Sequence, residues 1–416
     1  MQTLPKSAVH GAVPLLGLAA FVAGVLLVRA LAPWDEVALA GLLLVAVVGA
    51  ALIGVEFLGT RADTGLDAVH HAPSLERTAV KLLGLLGTLA FLALGYLLFP
   101  VYSDPLYGPF FAMLPWLVPA WLVAAVPYFY LVDRRMREPH DGYWQMGQLL
   151  RLRWREVDRA IFAQHVLGWL VKGFFLPLMF GYLGMGLEKV LDYEPGLPDE
   201  SRSWYVLASN GMYFADVTLA AVGYLATLRI AGSHIRSAEP TLLGWAVALA
   251  CYQPFWGMLS ERYLAYRGAH DWQDWAAGIP ALYIGWGGVI LLLTAVYLWA
   301  TLAFGCRFSN LTHRGILTNG PYRFSKHPAY LAKNLSWWLI AVPFLAEGGA
   351  WDGALRCLML LGVNALYWLR ARTEERHLSR DSVYVQYALW MEEHGLLRPV
   401  TRLPGLGFLR YRVPAP

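Results

Sequence analysis

The chain is short of charge: Asp, Glu, Lys and Arg make up only 15% of its 416 residues, against 57% hydrophobic residues. So little charge over so many residues excludes a water-soluble fold for most of the length, and apolar segments must be assigned first. The net charge of +4 is small, and the basic residues cluster between apolar runs, which excludes a nucleic-acid groove and suits a membrane surface. Cysteine is scarce. Cys251, Cys306 and Cys357 are odd in number, sit in or beside apolar segments and lack ligand spacing, so neither a disulfide framework nor a zinc site is expected. His70 and His71 lie in a polar loop without carboxylate or cysteine partners at ligand spacing, and a surface role is expected for them. Lysine is rarer than arginine (Lys6, Lys81, Lys172, Lys189, Lys326 and Lys333), a bias that, with abundant Ala, Gly and Leu, points to a GC-rich bacterial genome and an inner membrane. There is no internal repeat or low-complexity tract, and so no basis for a transporter built on alternating access.

What is present is a series of apolar runs. A hydrocarbon core of about 30 Å takes about 20 helical residues, and some ten stretches approach that length. They run Gly11 to Ala32, Val37 to Leu58, Val80 to Val101, Phe110 to Leu131, Val166 to Leu187, Tyr205 to Thr227, Leu242 to Met258, Ile279 to Phe304, Pro328 to Phe344 and Ala350 to Leu369. Gly11 to Ala32 is long enough to span and is followed by further spans, so an uncleaved first helix is expected rather than a signal peptide. The fold class expected is therefore an all-α polytopic integral membrane protein. Residues 1–165 form an N-terminal group, 166–277 a middle group and 278–416 a C-terminal core.

Arg134, Arg135, Arg137, Arg151, Arg153, Arg155 and Arg159 fall between the fourth and fifth spans, and Arg229 and Arg236 follow the sixth. Alternation from these loops puts Glu188 to Glu200 outside, and Arg307 to Lys326 inside with Arg370 to Arg412. Both termini would be cytoplasmic. Met146, Leu149, Leu150, Trp154, Val157 and Ile161 share a helical stripe opposite Arg151, Arg155, Asp158 and Arg159, so this stretch reads equally as a helix lying on the membrane or as a basic inside loop.

Ionisable and amide groups at membrane depth are costly unless paired or wet. Asn210 and Asp216 fall in the sixth span, Gln253 in the seventh and Asn364 in the tenth. Gln253 and Asn364 are expected to bond between helices, whereas Asp216 suits the lining of a substrate cavity. Glu56 and Lys172 lie near span ends, where they can snorkel.

The chemistry is concentrated near the end. After the eighth span come Gly315, Gly320-Pro-Tyr322-Arg323 and Lys326-His327-Pro328-Ala-Tyr330; then two short spans joined by Glu347-Gly348-Gly349; then Arg370-Ala-Arg372-Thr-Glu374-Glu375-Arg-His-Leu378. A tight turn makes the two spans a hairpin with both ends on one side, so groups about 45 residues apart in sequence meet at one interface. Gly315 and Gly320 let backbone approach a ligand, and Pro321 and Pro328 fix turns. Glu374 and Glu375 suit an α-amino group or a sulfonium, and Arg323, Arg370 and Arg372 a carboxylate. Tyr322, Tyr330, Tyr384 and Tyr387 offer ring faces to an adenine or a cationic methyl group, and His327 suits a ribose or base. Singly, such residues are more often interfacial anchors; their combination in one order carries the weight.

The order Gly320, Tyr322, His327-Pro328, Tyr330, then Glu374-Glu375, Leu378, Tyr384, Tyr387 and Pro399 resembles the isoprenylcysteine carboxyl methyltransferase family over about Gly305 to Pro399. The resemblance implies a helical core that binds S-adenosylmethionine in a cytoplasm-facing pocket and takes a lipid-like acceptor laterally from the bilayer. Phospholipid N-methyltransferases share much of the pattern, which leaves the acceptor open among carboxylate, amine and thiol. It implies Arg370, Arg372 and Glu374 at the transfer, with Gly320, Tyr322, Arg323, His327, Pro328, Tyr330, Asn334, Glu375, Leu378, Tyr384 and Tyr387 around the cofactor. No metal is implied. Two departures stand out: Lys326 replaces the usual arginine before the histidine, and Lys333 and Asn334 lie where small apolar residues are usual. The rival is a nicotinamide-dependent sterol or polyprenyl reductase with a related core; such enzymes typically carry asparagine where this chain has Ala329 and lack the paired glutamates.

Overall fold

The computed structural model describes residues 3–31, 37–59, 63–67, 74–191, 204–268 and 271–414. It is an all-helical integral membrane protein. Among the described residues, seven helices are long and apolar enough to cross a bilayer. These are α1 (Val13–Ala30), α2 (Val37–Gly59), α3 (Leu75–Leu98), α4 (Gly108–Asp133), α6 (Arg159–Leu191), α11 (Pro280–Leu302) and α13 (Gly349–Leu378). Between them lie α5 (Gly142–Leu150), α7 (Trp204–Leu225), α8 (Leu242–Leu249), α9 (Phe255–Met258), α10 (Trp272–Ala276) and α12 (Pro328–Ala341), and α14 (Ser382–His394) follows.

Ten spans do not emerge, for identifiable reasons. The sixth expected span, α7, has the length, but Asn210 and Asp216 dilute its apolar character. The seventh is broken: α8 ends at Leu249, and the Gln253 side chain accepts from Gly257 N at 3.2 Å to build the turn into α9. The Gln253 side chain thus shapes its own turn, while its backbone bonds to Tyr182 of α6. The ninth, α12, has only 14 residues, about 21 Å at 1.5 Å per residue, short of a bilayer core of about 30 Å.

The basic stretch after α4 is not one surface helix. α5 stops at Leu150, Leu152 takes a left-handed φ of 59°, and Asp158 caps α6 by accepting from Ala160 N and Ile161 N. α5 packs backbone to backbone on α3. A Cβ on Gly84 would lie 1.9 Å from the Tyr143 carbonyl oxygen and one on Gly147 would lie 2.1 Å from that of Val80, so only glycine permits the contact. The segment Glu188 to Glu200, used for orientation, falls mostly outside the described residues, as do His70 and His71.

Two buried arginines join the early helices to the C-terminal core. Arg307 pairs with Glu56 of α2, both at most 1% exposed in their side chains, so Glu56 does not snorkel. Its carboxylate is the counter-charge that makes burial of Arg307 tolerable. Arg314 donates to the carbonyls of Gly223 (2.7 Å) and Ala226 (3.1 Å), acceptors left over at the end of α7, and to those of Phe308 (2.9 Å) and Ser233 (2.7 Å). Lys172 is likewise buried, donating to the Thr227 hydroxyl with its ammonium 4.5 Å from the Trp169 ring centre.

The only named strands among the described residues, β1 (Ser237–Ala238) and β2 (Thr312–His313), pair antiparallel and draw the loop after α7 against the C-terminal core. The N-terminal residues lie along the same loop: Ala8 N donates to Ile316 O (2.9 Å) and the Thr318 hydroxyl to Pro5 O (2.8 Å). Gln386 of α14 donates to the Thr3 carbonyl (3.0 Å), so the N-terminal segment also touches α14.

Candidate active site

α12 and α13 meet at the base of the hairpin because Pro328 starts one helix while the other runs on past its apolar part to Leu378. Asn364 Nδ2 donates to Asn334 Oδ1 at 2.5 Å, Trp338 Nε1 donates to Asn364 Oδ1 at 2.8 Å, and Asn334 Nδ2 donates to the Tyr330 carbonyl at 2.7 Å. Asn364 is thus an inter-helix bond, and Asn334 lies in the same chain of amides, off the cavity lining.

A cavity, open on one side, lies against this hairpin. Tyr322, Lys326, His327, Tyr330 and Lys333 line one wall and Tyr367, Arg370, Thr373, Glu374, His377 and Leu378 another. Tyr330 donates to Glu374 Oε2 at 2.7 Å, and the His327 and Tyr330 rings lie parallel with centres 5.4 Å apart. The Glu374 side chain stays 41% exposed, an anion facing the cavity.

Glu375 faces the other way. It is 5% exposed and holds Lys326 Nζ at 2.9 Å, Arg372 Nη1 at 2.8 Å and His327 Nε2 at 3.3 Å. The twin glutamates therefore differ: one anchors three basic groups and the other meets the cavity. Lys326 also bonds Glu392 of α14 (3.2 Å), a bridging position for a compact ammonium. Arg372 and Arg323 do not line the cavity; Arg372 is bound to Glu375 and the Arg410 carbonyl (3.2 Å), and Arg323 is exposed. Gly320 adopts φ 56°, with Trp299 and Ala303 beside it, and turns the chain into Tyr322.

Tyr384 and Tyr387 support the site from behind. Tyr387 donates to the Tyr322 carbonyl at 2.6 Å, and Tyr384 packs between Tyr387 and Tyr411. Burial, with Glu374 and Tyr387 nearby, pushes the Tyr322 hydroxyl well above the usual phenol range. Burial with Glu375 near raises Tyr384 and Tyr387 in the same direction, so all three remain neutral.

Arg370 is 6% exposed and lines the cavity, donating to Asn310 Oδ1 (2.6 Å) and to the Tyr252 hydroxyl (3.4 Å). Asn310, Tyr252 and Glu239 were not anticipated: they sit in no motif and reach the cavity only because β1–β2 and α8 fold against the hairpin. Glu239 lies 3.5 Å from His377 Nδ1, and Ser237 Oγ is 2.9 Å from His377 Nε2. Asp216 lies one layer behind the wall it was expected to line, accepting from Tyr297 OH at 2.8 Å. Cys251 and Cys306 are buried thiols and Cys357 is partly exposed; all three are free. Among the described residues no group of three or more His, Cys, Asp or Glu could hold a metal ion.

Fold and site together define a helical membrane protein with a polar, ring-lined cavity at the base of a helical hairpin. A model of the isoprenylcysteine carboxyl methyltransferase family matches residues 287–380, which contain that hairpin and both polar clusters. No curated protein and no solved structure matches the chain.

Proposed function

We propose that this protein is a membrane-embedded, S-adenosylmethionine-dependent methyltransferase acting on a lipid-like acceptor at the cytoplasmic face of a bacterial inner membrane. One observation carries the reading: inside the stretch matched by a methyltransferase family, His327 at the N-cap of α12 and Tyr330 within it meet Glu374 of α13 around one cavity, and Glu375 holds His327 from behind.

The residues present fit such a cofactor. Glu374 offers a carboxylate to an α-amino group, Arg370 has only neutral hydrogen-bond partners among the described residues and so is available to a carboxylate, and the parallel His327 and Tyr330 rings offer a flat wall to a base. When bound, S-adenosylmethionine supplies an electrophilic methyl carbon on a sulfonium, transferred with loss of a neutral thioether. The chain's own contribution is alignment and exclusion of water, which supply much of the barrier reduction for such a displacement. Lys326, His327 and Arg372 are fixed on Glu375, which holds the cavity floor rigid. Arg372 is thus a positioning residue, while Arg370 and Glu374 are placed to touch ligand. A carboxylate acceptor needs no base; for an amine or thiol, Glu374 or His327 is placed to take the proton.

The test is binding and turnover with the purified full chain. S-adenosylhomocysteine should bind while NADPH does not, and membranes given methyl-labelled S-adenosylmethionine should gain label in the lipid fraction. NADPH binding in place of S-adenosylhomocysteine would establish the reductase rival instead.

A further inference from the structure

The cavity has a second pole. Lys333 projects from the same face of α12 as Tyr330 and Trp337, three residues before it and four after. Its ammonium lies 5.6 Å from the Tyr297 ring centre, 5.4 Å from that of Trp337 and 5.8 Å from that of Tyr367. Among the described residues, no acceptor lies within hydrogen-bond distance of it. Arg370 lies at the same distance from Tyr367, 5.8 Å, and is held only by Asn310 and Tyr252, both neutral.

Two cations on facing walls therefore share the Tyr367 ring, and neither touches a carboxylate. Ring faces stabilise a cation by less than is lost on withdrawing an ammonium from water. Asp216 offsets Lys333 only from behind the wall, its Oδ2 accepting from Tyr297 and its Oδ1 buried without a hydrogen-bond partner. The cavity's own carboxylates are elsewhere: Glu374 accepts from Tyr330, and Glu239 from Thr241 N at 2.9 Å. This pole is electrostatically incomplete without an anion. It also lies among helices long and apolar enough to span a bilayer, with Leu335, Leu358 and Leu361 exposed on the hairpin where acyl chains would pack.

We infer that Lys333 binds the anionic group, carboxylate or phosphate, of an amphiphilic acceptor whose chain lies in the bilayer, and that it sets the preference for that acceptor over neutral or amine-headed lipids. The inference rests on the methyltransferase reading for the word acceptor, and on the cavity alone for the binding.

The purified full chain in neutral detergent is given radiolabelled hexadecanoate, hexadecyl phosphate, hexadecanol or hexadecylamine. At least one anion should bind about tenfold or more tighter than the alcohol and the amine, as expected for a partly buried charge pair. Lys333→Met should abolish the preference and Lys333→Arg retain it, with S-adenosylhomocysteine affinity unchanged in both. Equal binding of all four probes by the wild type, a measurement that needs no variant, overturns the inference, as does a preference that survives Lys333→Met. Competition by acetate or inorganic phosphate as strong as by the amphiphiles would overturn the lipid source. A wild type that binds no S-adenosylhomocysteine yet prefers the anion would remove the methyltransferase reading and keep the anion site.

Discussion

The Tyr330 hydroxyl donates to Glu374 across the base of the hairpin, 44 residues away in sequence and 2.7 Å in space. This bond fixes the cavity-facing carboxylate. Tyr330→Phe should weaken S-adenosylhomocysteine binding about tenfold or more, since a hydrogen bond to a charged group contributes about 1.5–3 kcal/mol. Isothermal titration checks it, and an unchanged affinity would detach Glu374 from the cofactor.

Glu375 should behave differently from its neighbour. Glu375→Gln leaves Lys326, His327 and Arg372 without their shared anion, and removing one partner of a buried charge cluster costs about 3–5 kcal/mol. Thermal unfolding in detergent should show a marked loss for Glu375→Gln and little for Glu374→Gln, whose side chain is 41% exposed.

Asn334 separates structure from ligand binding. Because it bonds to Asn364 and the Tyr330 carbonyl, Asn334→Ala should cost about 0.5–2 kcal/mol of stability, typical of inter-helix hydrogen bonds in membranes. S-adenosylhomocysteine affinity should hold within a factor of two or so, a prediction checked by titration of the stable fraction; a larger loss would return Asn334 to the cofactor.

The Glu56–Arg307 pair ties α2 to the C-terminal core. Either Glu56→Gln or Arg307→Met alone should destabilise by about 3 kcal/mol or more, while the double variant should recover most of the loss, because the charges are then removed together. A double-mutant cycle on thermal unfolding measures the coupling.

Acid should loosen the loop after α7. Burial first, then Arg229, Arg236 and Arg314 against a smaller opposing effect of Asp63, lowers His234 to about 3; burial first, with Asp381 opposing and Arg236 and His377 assisting, lowers His313 to about 4. Both are neutral in the fold, whereas the unfolded chain takes up protons below about 6.5, so their contribution is complete above that pH and is lost as pH falls toward 4. The Tm in detergent should fall between pH 7 and pH 5, and fall less in His234→Gln. An identical slope in the variant would remove His234 from the account.

How much of this was legible beforehand varies by element. The apolar runs defined the membrane class and most helix positions because a bilayer core demands about 20 apolar residues irrespective of partners. The motif Gly320 to Tyr330 and the paired glutamates marked where the cavity lies, because a tight turn alone makes both hairpin ends face one side. The break at Gln253 and the cap at Asp158 were missed because a continuous apolar or amphipathic pattern does not report where the backbone bonds stop.

The sequence by itself determined that the chain is a helical membrane protein with a polar hairpin base, since hydrophobic length and turn chemistry are local properties. Only the tertiary structure decided that Glu374 meets the cavity while Glu375 is buried, that Lys333 reaches it while Asn334 does not, and that Glu239, Tyr252 and Asn310 complete its wall. Those outcomes depend on which face of each helix its neighbours cover and on which buried charges find partners, and neither is encoded within any one segment.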